Sequence, residues 1–125
     1  MFSITAPRYY LYLEPTDMRM GFDGLSGLVS SRLGENPRSG DLFIFINKPR
    51  NRTKMLRWEP GGFVLFCKRL ERGTFELPEV KRTGLSSTKY NHIILPGSLS
   101  GHHSDSILRI HFFLELISLQ QPVLP

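Results

Sequence analysis

Leu42-Phe43-Ile44-Phe45-Ile46, Thr53-Lys54-Met55-Leu56-Arg57-Trp58 and Phe63-Val64-Leu65-Phe66-Cys67-Lys68 are three short runs rich in apolar and β-branched residues. Asn47 to Asn51 separates the first pair, and Glu59-Pro60-Gly61-Gly62 the second. The first run is continuously apolar, which suits a central strand buried on both faces. The second and third read as strands joined by a tight turn, in which Pro60 presets one dihedral and a glycine supplies a positive one. Glu71-Arg72-Gly73 reads as a further turn and Thr74-Phe75-Glu76-Leu77 as a short fourth strand. Connections this short join antiparallel neighbours, so residues 42–77 are expected to form an antiparallel meander.

On the N-terminal side, Tyr9-Tyr10-Leu11-Tyr12-Leu13 reads as a strand, because aromatic residues pack well on a pleated surface. Pro15 ends it. Thr16 or Asp17 suits a helix N-cap, and Met18, Phe22, Leu25, Val29 and Leu33 then recur as one apolar helical stripe. Gly34 fits the left-handed position past the helix end. This spacing predicts a helix over residues 17–33. Gly21, Gly24 and Gly27 fall inside it at a cost of about 0.5–1 kcal/mol each relative to Ala, and read as close helix-to-sheet packing. Strand, helix, then meander is an α+β order, with the helix covering one face of the sheet.

The 125 residues suit one domain, and 40% hydrophobic content is ordinary for a folded chain. One cysteine excludes an internal disulfide framework and a multi-cysteine zinc site. The N-terminus lacks the pattern of a signal peptide, and no stretch reaches the roughly 18 apolar residues of a membrane span. The expected setting is cytoplasmic. Residues 1–83 are expected to carry the fold. Residues 84–125 read as a divergent tail, either disordered or containing a short apolar helix over 107–119.

The formal net charge of +5 is unevenly placed. Residues 1–41 hold four basic and five acidic groups, residues 42–82 ten and four, and residues 83–125 two of each. Lys48, Arg50, Arg52 and Lys54 alternate, so in an extended hairpin they point one way. Arg57, Lys68, Arg69 and Arg72 add to the region. A row of cations with a rise of about 3.3 Å per residue can follow phosphates, which makes these residues a candidate nucleic-acid contact. The alternative is a solvated hairpin tip, since Lys and Arg also protect sheet edges.

Catalytic signals are weaker. Asp17, Arg19 and Asp23 are explained by a cap and an i, i+4 ion pair between Arg19 and Asp23. His102, His103 and Asp105 lie close together, but adjacent histidines in a Gly/Ser-rich loop lack the further ligands of a metal site. Cys67, in an apolar strand, reads as a small hydrophobe. With no Walker loop and no dinucleotide fingerprint, the sequence points to no enzyme, cofactor or metal.

Five segments in order carry a resemblance: Pro15-Thr16-Asp17-Met18-Arg19, Gly21-Phe22-Asp23-Gly24-Leu25, Gly40-Asp41-Leu42-Phe43-Ile44-Phe45, Arg52-Thr53-Lys54-Met55-Leu56-Arg57-Trp58 and Lys68-Arg69-Leu70-Glu71-Arg72-Gly73-Thr74-Phe75. Over about Tyr9 to Pro78 the chain resembles the small accessory protein encoded by the second open reading frame of insertion sequence family 66 transposons. The resemblance implies a non-catalytic helper of transposition that contacts DNA at the transposon ends, the cognate transposase, or both. Asp17, Arg19, Phe22, Asp23, Gly24, Lys54, Trp58, Lys68 and Arg69 match the family's recurrent motifs. A protein-interaction module working through apolar surface, without nucleic-acid contact, is the competing expectation.

Overall fold

The structure, a computed structural model, describes residues 8–75 and 92–95. The apolar run Leu42–Ile46 is the middle strand, β2, buried along its whole length. Around it lie β1 (Tyr9–Tyr12), β3 (Arg52–Glu59), β4 (Gly62–Arg69) and β5 (His92–Leu95), in the order β4-β3-β2-β1-β5. β2, β3 and β4 form the expected antiparallel meander. Its hairpin turns at Pro60-Gly61, with Gly61 at a φ of 98° and Glu59 paired with Gly62. The architecture is α+β, as the sequence predicts.

Two arrangements lie beyond that reading. β1 pairs with β2 in parallel, with the helix as the crossover between them. β5 pairs antiparallel with the outer side of β1, so residues from the stretch without period extend the sheet.

The helix is shorter than its stripe. Residues 17–20 form a turn, and α1 spans Phe22–Leu28 before continuing as a π-helical turn, Val29–Leu33. Asp17 is not a cap: its carboxylate accepts the Arg19 backbone N–H at 2.9 Å, and the N-cap, Gly21, makes no side-chain bond. Asp side chains favour such local turns as readily as caps, so residue type alone does not separate the two. Arg19 consequently pairs with Asp17 and not with Asp23. Toward the other end, Ser30 and Ser31 donate to the carbonyls of Ser26 and Gly27, competing for acceptors of the α ladder where it widens. Gly34, at a φ of 67°, ends the helix, and the Val29 carbonyl accepts the N–H groups of both Gly34 and Glu35.

Leu25, Val29 and Leu33 pack on Tyr10, Tyr12, Phe43, Phe45 and Leu56. Full burial of such a side chain stabilises by about 1.5–3 kcal/mol. Phe22 leaves the stripe and is 47% exposed; Met18 and Met20 of the turn pack at this layer instead. The glycine expectation is also corrected. A Cβ at Gly21 or Gly27 would meet nothing within 4 Å, and one at Gly24 would meet only the Met20 side chain. Close approach to the sheet is therefore not their reason.

The opposite sheet face buries Tyr9, Leu11, Leu42, Ile44, Ile46, Met55, Phe66 and Phe75. Phe75 is not in a strand: its N–H donates to the Arg50 carbonyl at 2.7 Å, tying the chain after β4 to the β2–β3 turn. The rest of the expected fourth strand, the 107–119 segment, and His102, His103 and Asp105 lie outside the described residues.

Candidate nucleic-acid interface

Counting outward from the Pro60-Gly61 turn places Arg52 opposite Arg69, Thr53 opposite Lys68 and Lys54 opposite Cys67. Alternation along β3 puts Arg52 and Lys54 on the face of Leu56, toward the helix, with Arg69 and Cys67 beside them. Met18, from the turn before α1, faces the same space. The result is an open groove of about 400 Å³, completed by Thr53 and Lys68.

Arg52 and Arg69 are both exposed, and neither forms an ion pair with a carboxylate among the described residues. Like charges directly opposite on neighbouring strands oppose folding, so this juxtaposition is a local cost. The nearby acid is engaged elsewhere. Asp17 accepts from Arg19 Nη2 at 2.7 Å and from Nε at 3.1 Å. These side-chain bonds first, then the Arg19 backbone N–H, with the Lys54 charge as a smaller cause, hold the Asp17 carboxyl at about 2.

Apart from Arg52 and Arg69, the cations predicted as contacts from the sequence divide into three sets. Lys48 and Arg50 are exposed on the β2–β3 turn. Arg50 has a φ of 59°, so strict alternation fails there and holds only for Arg52 and Lys54. Asn47 fixes the turn: its Oδ1 accepts the N–H groups of Asn51 and Arg52, both at 3.0 Å, and its Nδ2 donates to Asn51 Oδ1. These two cations therefore stand on a braced turn. Lys54 belongs to the second set. It is half-buried, and its Nζ donates to the Met20 carbonyl at 2.8 Å, which joins the groove wall to its floor. Lys68 is half-buried too.

Arg57 forms the third set, and the structure separates it from the rest. It lies on the opposite face, its side chain only 14% exposed, with Nη2 at 2.6 Å from Glu59 Oε1 and the guanidinium 5.4 Å from the Phe66 ring centre. The register explains this: Arg57 is an odd number of residues from Arg52 and Lys54. Trp58 also has a role within the fold, meeting the Phe63 ring edge-on at 4.9 Å with the Arg38 guanidinium 5.0 Å from its own ring. Asp17 and Arg19 bind each other; Phe22 and Asp23 are exposed at the start of α1.

Cys67 is the residue that sequence reasoning misplaced. It is exposed in the groove, because β4 is the terminal strand of the sheet and its helix-side face at this end lies beyond the helix-packed cluster. Counting the hairpin register outward from its two-residue turn is the signal that finds it. Among the described residues no three His, Cys, Asp or Glu side chains come together to hold a metal ion, and no helix is long and apolar enough to cross a membrane.

The family model described as "IS66 Orf2 like protein" matches residues 7–100, a span that includes β5. The chain is similar to the uncharacterized protein y4jC of Sinorhizobium fredii, at 35% identity over 92 residues, covering 74% of this chain and 79% of that one. It is also similar to the uncharacterized protein y4hO of the same organism, at 39% identity over 75 residues, covering 59% of this chain and 64% of the relative. No solved structure matches.

Proposed function

The chain belongs to the IS66 Orf2-like family, which makes it a transposition-associated accessory protein, and on that premise we propose that it binds DNA through the basic groove and the neighbouring turn. One observation carries this reading: Arg52 and Arg69 face each other, exposed, at an open groove, with no carboxylate paired to either among the described residues. A phosphate backbone supplies the missing negative charge. Lys48 and Arg50 extend the positive surface from the groove onto the braced turn. Contacts of this kind orient a protein on DNA without reading its sequence. They fit a helper that leaves cleavage and joining to the transposase.

The test is retention of a duplex carrying a transposon end, measured across a salt series. Binding carried by phosphate neutralisation weakens steeply between about 50 and 200 mM salt. Retention that does not respond to salt rejects this reading. It would favour the second one, docking on the cognate transposase through apolar surface. Phe22, the exposed large hydrophobic side chain on α1, is the observation behind that alternative. A single exposed ring is common on folded proteins and makes a smaller patch than a docking surface needs, so DNA is the reading we advance.

A further inference from the structure

We infer that Arg52 and Arg69 form a two-armed clamp that seats one phosphate group of a nucleic-acid strand, with Lys54 holding the groove wall behind it. This rests on the DNA reading above and assigns its central contact. The register sets the geometry. Residues directly opposite on antiparallel strands have Cβ atoms about 4.5–5.5 Å apart, so the two side chains rise from the sheet as neighbours. Each guanidinium presents a planar fork of N–H donors matched to phosphate oxygens. A phosphodiester has two non-bridging oxygens, one for each fork. Its single negative charge between two positive ones turns a repulsive pair into an attractive triplet.

Lys54 acts as a positioning residue. One of its three N–H donors is committed to the Met20 carbonyl, which fixes the 17–20 turn, and Met18 with it, against the hairpin. The occupant is a nucleic-acid strand, not a single acidic side chain, because the positive charge continues past the clamp. Arg50 and Lys48 follow on a turn braced by Asn47, and the chain after β4 is tied to that turn by the Leu70 N–H to Asn51 carbonyl bond at 2.8 Å. A lone carboxylate would use the clamp and leave those cations idle. Cys67, opposite Lys54 and the chain's one cysteine, reports on occupancy without taking part.

The experiment combines melting with alkylation of Cys67 by iodoacetamide, on the full chain and its Arg69→Gln and Arg52→Gln variants. In low salt, inorganic phosphate is expected to raise the Tm of the unaltered chain above that in chloride at equal ionic strength. Each variant is expected to melt higher than the unaltered chain without phosphate, since one repelling charge is gone, and to show no phosphate-dependent rise. A duplex oligonucleotide is expected to slow alkylation several-fold in the unaltered chain and much less in the variants. Variants that melt lower in low salt, or a phosphate response equal to that of chloride, overturn the clamp. So does polyglutamate protecting Cys67 as well as the oligonucleotide does, since that identifies an acidic peptide as the occupant. If both variants keep full DNA retention with an unchanged salt dependence, the clamp and the groove as the DNA contact are both wrong, and DNA binding itself is left to the Lys48 and Arg50 turn. If the unaltered chain responds to phosphate but fails to retain DNA, the DNA reading falls, and with it the nucleic-acid occupant.

Discussion

The two ends of the β3–β4 hairpin treat their arginines in opposite ways. At the closed end, next to Pro60-Gly61, Arg57 meets Glu59 and the Phe66 ring, while Arg38 lies over Trp58. Every charge there has a partner within the chain. At the open end Arg52 and Arg69 are set side by side, with Asp17 taken by Arg19 and Lys54 by a carbonyl. One hairpin with one register thus neutralises its cations at one end and concentrates them at the other. Positive charge alone is a poor guide to a binding surface; charge that the fold leaves unpartnered is a better one.

The contrast breaks if the two ends do not separate on mutation. The largest effect is expected at the closed end. Trp58→Ala removes the Phe63 and Arg38 contacts and should lower unfolding stability by about 2–3 kcal/mol in urea titrations, with DNA retention per folded molecule unchanged. Next comes the open end. Replacing both Arg52 and Arg69 with Gln should weaken duplex binding at least about tenfold in filter retention, with stability in low salt slightly raised. Arg57→Gln sharpens the comparison by removing a nearby arginine of the other kind. It should cost about 1–2 kcal/mol in stability, through the lost Glu59 bond, and leave DNA binding intact.

Acid gives smaller effects that leave the groove arginines charged. His92 on β5 is 1% exposed, and burial holds its pKa below the ordinary histidine value. The unfolded chain then takes up the proton first as pH falls through about 6.5, so stability should decline on acidification below that point. Faster exchange of the β1 and β5 amides at pH 5.5 than at pH 7.5, corrected for intrinsic rates, is the expected sign. The smallest effect belongs to Asp17. Its lowered pKa makes the contribution of the Arg19 pair present above the ordinary value of 3.8 and lost as pH falls through about 2. An NMR titration of the carboxyl should show that low midpoint, with little change in Tm, because the pair is exposed.

The meander was legible because its signals are local: a wholly apolar β2, alternation in β3 and β4, and Pro-Gly at the turn. The parallel pairing of β1 with β2 was less so, since it depends on where the crossover helix docks, although the long connection through α1 is what parallel strands require. The start of α1 was misread because Asp17 makes a turn with the same side-chain chemistry that caps helices. β5 escaped because four residues in a Gly/Ser-rich context carry little periodicity. At the site, the excess of positive charge was visible in the sequence. Which cations keep no carboxylate among the described residues was not: Arg57 meets Glu59 because both lie on one face of β3, and Lys54 meets Met20 only once the turn before α1 packs on the hairpin. Cys67 reads as a small hydrophobe from its apolar neighbours, while its position on a terminal strand leaves it exposed at the groove.

The most direct test of the account is the slope of log affinity for a duplex against log salt, for three proteins side by side. The unaltered chain and Arg57→Gln should share one steep slope, and the Arg52→Gln/Arg69→Gln double variant, which loses the one clamped phosphate, should lose about one unit of it. One common slope for all three would contradict the account.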